Sequence, residues 1–202
     1  MLDGWMRQII DPPLLRAGRA LASSGIGADA VTLLGLAFGL GSAAAVVFGH
    51  FMLALLFLLA GRLCDGLDGA IAAALRRTDR GGFLDIVCDF VVYGALPLAF
   101  AVLAPGENAV AAAVLLFSFY VNGATFLAFA VMAERRGLQT SSRGHKTIYF
   151  TAGLAEGSET ILAFILMLLF PSAFVWLAYG FAAMVLVTAV SRVIIAWTTF
   201  RD

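Results

Sequence analysis

The chain has 202 residues, 62% of them hydrophobic and only 13% charged, with no net formal charge and a mean hydropathy of +0.97. That balance excludes an ordinary soluble domain and points to a polytopic membrane protein whose surroundings are lipid rather than nucleic acid. About six spans of roughly 20 residues fit the length, which leaves no room for a separate soluble domain.

Residues 1–24 place Trp5, Ile9, Leu14, Leu15 and Leu21 against Arg16 and Arg19. Asp11 is placed to cap a helix beginning at Pro12, and the segment reads as an amphipathic helix lying on the membrane surface. The mixed, proline-containing start does not read as a cleavable signal peptide. Gly25, Ile26 and Gly27 break the chain, and Asp29 is placed to cap the first span, residues 30–48. Its Gly35, Gly39 and Gly41 read as packing sites.

The second span, residues 51–75, carries Arg62, Asp65 and Asp68, and the third, 83–103, carries Asp85 and Asp89. The fourth, 109–133, holds Ser118, Tyr120, Asn122 and Thr125, read as interhelical hydrogen-bonding groups. A polar loop follows with Arg143, His145 and Lys146, then a fifth span over 147–170 and a sixth over 173–200. Glu156 and Glu159 in the fifth are expected to pair with Arg192 in the sixth, unless one of them serves substrate recognition. Cys64 and Cys88 read as small buried residues rather than a disulfide. The organisation is therefore all-α: an interfacial segment over 1–24 and a six-span helical bundle over 25–202. Arg7, Arg16, Arg19, Arg76, Arg77, Arg80, Arg135, Arg136, Arg143, Lys146 and Arg201 all fall on one side of such a bundle, which orients both termini toward the cytoplasm.

Four aspartates stand out within that frame. Asp65 and Asp68 are spaced i, i+3 and Asp85 and Asp89 i, i+4, so each pair shares one face of its own helix. The stretch Arg76, Arg77, Thr78, Asp79, Arg80, Gly81, Gly82 between them reads as the turn of a helical hairpin. Asp68 and Asp89 then lie at similar heights, roughly 15 Å from the turn, so that the four carboxylates converge. Carboxylates that close need cations, either divalent metal or the nearby Arg62, Arg76, Arg77 and Arg80. Oxygen-only ligation suits magnesium, manganese or calcium rather than zinc.

The run Asp65, Gly66, Leu67, Asp68, Gly69, Ala72, Gly81, Asp85, Asp89 resembles the signature of the CDP-alcohol phosphotransferase family of integral membrane enzymes. Ala28, Asp29, Ala30, Val31, Thr32 and, further on, Gly144, His145, Lys146, Thr147 resemble two of the family's other elements. The resemblance implies transfer of a phosphoalcohol from a CDP-alcohol, usually CDP-diacylglycerol, to the hydroxyl of an alcohol acceptor, with release of CMP. It also implies a homodimer in a bacterial-type inner membrane, with the active site facing the cytoplasm. By the same resemblance Asp65, Asp68, Asp85 and Asp89 hold two Mg2+ or Mn2+ ions and Asp89 takes the acceptor's proton. The CDP-alcohol then meets Asp29, Thr32, Gly69, Thr78 and Gly81.

Where the family usually has arginine this chain has Ala73, and the spacing from Ala73 to Gly81 is one residue shorter than in many members. Arg76 and Arg77, three and four residues on, are expected to reach back along the helix toward the phosphates. Arg143 and Lys146 are candidates for an anionic acceptor. Two other classes remain open: a catalytically silent member acting as a CDP-lipid-binding or partner subunit, and a divalent-cation carrier.

Overall fold

The computed structural model describes residues 3–137, 155 and 157–200. Among them the chain is all-helical: α1 (Asp3–Ser23), α2 (Ala28–Val47), α3 (Phe51–Ala74), α4 (Asp79–Leu103), α5 (Pro105–Arg135), α6 (Gly157–Leu169) and α7 (Phe174–Thr199), with a short 3-10 turn at Pro171–Ala173 before α7. Four segments, Ala28–Val47, Asp79–Leu103, Pro105–Arg135 and Pro171–Thr199, are long and apolar enough to cross a membrane. The 24 residues of α3 match them in length, but Arg62, Asp65 and Asp68 interrupt its apolar run.

Local chemistry sets most of these boundaries. Gly25, at φ +81°, ends α1 in the left-handed conformation. The Gly25 amide then donates to Ala22 O and that of Ile26 to Leu21 O, satisfying carbonyls that the helix leaves open. Gly49 repeats the device after α2, with bonds to Val46 O from its own amide and to Ala45 O from His50. Several boundaries differ from the sequence reading: α4 begins at Asp79 rather than 83, so Asp79–Gly82 are helical and not part of the turn, and α5 begins at Pro105 rather than 109. Helix α1 does not begin at Pro12 under an Asp11 cap but runs through Pro12 and Pro13, although each interior proline removes a ladder donor and crowds the carbonyl four residues back. Asp29 does not cap α2 either: the capping position is Gly27, and Asp29 lies in the first turn.

The chain forms two compact units, Met1–Ala109 and Val110–Asp202. In the first, α2 packs on α3 and α4, and α1 packs on α3. The glycines are read correctly as contact points. A Cβ on Gly35 would stand 3.2 Å from Cys64 Cβ and 3.4 Å from Gly61 O, and one on Gly18 would stand 2.6 Å from Ala70 Cβ. Gly39 meets Val92 and Gly41 meets Phe57 in the same way. Backbones this close leave no space for larger side chains, so the helices pack through dispersion over small residues. Val31, Cys64 and Ile71 form a buried apolar cluster, with Leu21, Phe38 and Leu67 packed around them.

The second unit is built on aromatic contacts. Phe119 meets the rings of Phe164 and Phe181 edge-on, with centroids 6.1 and 6.0 Å apart. Arg192 of α7 donates to Asn122 Oδ1 at 2.8 Å and to Thr125 Oγ1 at 3.1 Å on α5, so these two polar residues do bond between helices as expected. Ser118 and Tyr120 do not: Ser118 turns back to Leu115 O within its own helix at 2.7 Å, and Tyr120 is 76% exposed. A short hydroxyl finds its own backbone first.

Candidate active site

The hairpin of α3 and α4 positions the four aspartates. Helix α3 ends at Ala74, where Leu75 leaves helical geometry at φ −92°, ψ −84°. Helix α4 starts at Asp79 behind Thr78, whose hydroxyl oxygen accepts from the Gly81 amide at 3.0 Å. That cap fixes the direction in which α4 returns. One carboxylate oxygen from each of Asp65, Asp68 and Asp85 then lies within 4.8 Å of the others. Asp89 lines the same small cavity, together with Arg62 and Thr32.

Three of the four carboxylates are held by side chains of Thr32 and Arg62. The buried Asp68 accepts at Oδ2 from the Thr32 hydroxyl of α2 at 2.5 Å. Arg62 donates through Nη2 to Asp89 Oδ1 at 2.8 Å and through Nη1 to Asp65 Oδ2 at 3.3 Å. One guanidinium therefore spans both helices and links the two aspartate pairs. Among the described lining residues there are four carboxylates and one cationic side chain. Such an excess of hard oxygen donors, three of them clustered, fits a magnesium- or manganese-like ion. Cys64 and Cys88 are free, buried thiols, as their neighbours on the helix predict.

The other sequence candidates distribute unevenly. Asp29 Oδ2 accepts from Arg80 Nε at 2.9 Å and also from Arg80 Nη2. A Cβ on Gly81 would lie 3.3 Å from Asp29 Oδ1, so the first turns of α2 and α4 come close there. Gly69 is exposed, with open space where a side chain would begin. Arg76 and Arg77 are exposed in the link after Ala74. They do not continue the face of Ala73, as the sequence reading has it, because the helix has already ended. Arg143, Lys146, the Gly144–Thr147 element and Glu156 lie outside the described residues, and Glu159 accepts from Ser158 at 3.1 Å.

Two residues were given too little weight by sequence reasoning. Arg62 carried a usable signal, a lone cation three residues before Asp65 in an apolar helix. The pairing of Arg80 with Asp29 spans 51 positions and leaves no local trace.

A family model described as CDP-alcohol phosphatidyltransferase matches residues 26–198. The inner membrane protein YnjF of Escherichia coli is 41% identical over 202 residues, covering 100% of this chain and 98% of that one. The archaetidylinositol phosphate synthase of Pyrococcus horikoshii is 35% identical over 85 residues, 42% of this chain and 45% of its own length. Crystal structures of the Mycobacterium tuberculosis phosphatidylinositol phosphate synthase share the fold. The form with CDP-DAG bound has a TM-score of 0.71 and 23% identity, over 92% of this chain and 94% of that one. The form in complex with manganese and citrate has a TM-score of 0.70 and 23% identity, over 92% and 89%.

Proposed function

The chain belongs to the CDP-alcohol phosphatidyltransferase family, a family of transferases of substituted phosphate groups, and from that premise we propose that it moves a phosphatidyl group from CDP-diacylglycerol to a hydroxyl acceptor and releases CMP. The observation that carries this reading is the convergence of Asp65, Asp68 and Asp85 oxygens within 4.8 Å, with Asp89 in the same cavity. The related synthase crystallised with CDP-DAG supports the donor, and the same synthase with manganese supports the metal.

Asp65, Asp68, Asp85 and Asp89 would hold a divalent ion, Mg2+ or Mn2+, which when bound would supply positive charge against the donor diphosphate and the departing CMP. The chain's own residues do the rest. Asp89 takes the proton of the attacking hydroxyl as its oxygen bonds to the phosphatidyl phosphorus, and the bond from that phosphorus to the CMP oxygen breaks. Arg62 occupies Oδ1 of Asp89, which leaves the other carboxylate oxygen to receive the proton. Thr32 fixes the orientation of Asp68. Gly69, Thr78 and Gly81 line the approach of the nucleotide, and Arg143 and Lys146 serve an anionic acceptor.

The architecture in this reading has six spans over residues 25–202, with α3 and the segment ending in α6 completing the four long apolar helices, and α1 lies along the interface. Two copies form a homodimer. The distribution of basic residues supports an orientation with both termini and the site at the cytoplasmic face of an inner membrane, where the lipid donor would enter sideways from the bilayer.

Ala73, in the position where the family usually carries an arginine, favours one second reading: a member that binds CDP-lipid as a partner subunit without turning it over. The deciding experiment is CMP release from CDP-diacylglycerol by the purified protein with Mg2+ or Mn2+, across a panel of alcohol acceptors. Acceptor-dependent release that disappears in Asp89→Asn establishes the transferase. Intact CDP-lipid binding with no release for any acceptor selects the second reading.

A further inference from the structure

We propose that Arg80, held in place by Asp29, is the cation that meets the donor's diphosphate in this chain and so takes the part of the arginine absent at Ala73. The proposal rests on the reading of the protein as a CDP-alcohol phosphatidyltransferase and names a residue that the sequence reading does not assign.

Three arginines other than Arg80 lie on or beside the hairpin, and none is as well placed. Arg62 has both Nη groups on the carboxylates of Asp65 and Asp89. Arg76 and Arg77 stand exposed in the link after Ala74, with no anchor comparable to Asp29 among the described residues. Arg80 instead directs Nε and one Nη2 proton at a single oxygen of Asp29. A guanidinium has five N–H groups, so three remain for another acceptor. Its side chain is 83% exposed, which leaves those donors accessible.

The location follows from α2. Asp29 and Thr32 are three residues apart on one face of that helix. Thr32 holds Asp68 at 2.5 Å while Asp29 holds Arg80. The anchor of Arg80 therefore stands one helical turn, about 5 Å, along α2 from the residue that holds a metal-binding carboxylate. A diphosphate with one end at the cluster of Asp65, Asp68 and Asp85, which would hold the ion, would extend over that distance. Gly81 keeps the α4 first turn against Asp29, and α2 begins with no side-chain cap on its first amides, so both helix starts add a favourable field for an anion. Asp29 alone would repel the phosphates; paired with Arg80 it serves as a positioning residue that pre-orients the guanidinium.

The test is calorimetric binding of CDP to the purified full-length protein in Mn2+, with cytidine, which lacks the diphosphate, as the second probe. Arg80→Ala is expected to weaken CDP binding about 10- to 100-fold, the range for charge-assisted hydrogen bonds, and to leave cytidine binding as it was. Arg80→Lys recovers part of the loss, Asp29→Asn weakens CDP only a few-fold, and Arg76→Ala and Arg77→Ala change it less than Arg80→Ala. Unchanged CDP affinity in Arg80→Ala overturns the proposal while leaving the transferase reading standing. Equal losses for CDP and cytidine overturn it also, by showing a structural effect. A parent protein that binds no CDP at all defeats the functional reading itself.

Discussion

In the unit Met1–Ala109 four carboxylates share a small cavity with a single guanidinium, whereas in the unit Val110–Asp202 one guanidinium, that of Arg192, draws on an amide oxygen, a hydroxyl and the ring of Phe126. The two arrangements solve opposite problems. Arg192 joins α5 to α7 by supplying donors to acceptors that an apolar bundle would otherwise leave unused. The aspartates leave an excess of negative charge that Arg62 offsets only in part. An acid excess among packed helices is costly as pure architecture, and it becomes sensible where an exchangeable cation and a phosphate substrate complete the balance.

The largest effect that separates the two units falls on chemistry. Asp89→Asn keeps the shape and the partner for Arg62 but loses the proton acceptor, so CMP release should drop about 10²- to 10⁴-fold. The melting temperature of the same preparation should move by little. Release that persists in this variant would remove Asp89 from the role of base and reduce the first unit to a second example of structural pairing.

Arg62→Ala probes the balance directly. It leaves Asp65 and Asp89 without their shared cation, and with both partners partly exposed the cost should be about 1–3 kcal/mol, below that of a fully buried pair. Measured in a chelator, the loss should be complete. Saturating Mn2+ should then restore stability by binding only the folded form. A variant that melts at the same low temperature with and without Mn2+ would show that the cluster does not hold a cation.

Thr32→Val is a smaller change at the same place. The isosteric methyl preserves packing between α2 and α3 but removes the hydroxyl from Asp68. Manganese affinity, followed by titration calorimetry, should fall about 10-fold, the lower end for loss of an outer partner of a metal ligand. No change would mean that Asp68 is oriented by the helix alone.

These residues also show what was legible in advance. The aspartate quartet was readable because its spacing is helical and its two halves are joined by a short link, so height along each helix follows from counting. The helix limits were readable to within a few residues wherever an apolar run met a glycine or proline, as at Gly25, Gly49 and Pro105. What joins the helices was not readable. Thr32 with Asp68 spans 36 positions, Arg62 with Asp89 spans 27, and Arg192 with Asn122 spans 70. No local periodicity encodes which face of one helix meets which face of another. Arg76 and Arg77 are a local case: they do fall in the link between the helices, but counting them onto the face of Ala73 fails because α3 ends at Ala74 and Leu75 leaves helical geometry.

The smallest effect sharpens the contrast most. Asn122→Ala removes one of the acceptors of Arg192, the Oδ1 at 2.8 Å, while the Asn122 carbonyl oxygen and Thr125 Oγ1, each at 3.1 Å, remain. The guanidinium keeps partners, so the loss should be about 1 kcal/mol, below the roughly 1.5–3 kcal/mol of a bond to a charged group that has no replacement. Melting in chelator and in saturating Mn2+ should show the same decrement relative to the parent, because Asn122 lies outside the cavity that the aspartates line. In Arg62→Ala the decrement shrinks with Mn2+, and in Asn122→Ala it stays constant. A Mn2+-dependent decrement in Asn122→Ala would mean that the Arg192 network is coupled to the carboxylate site.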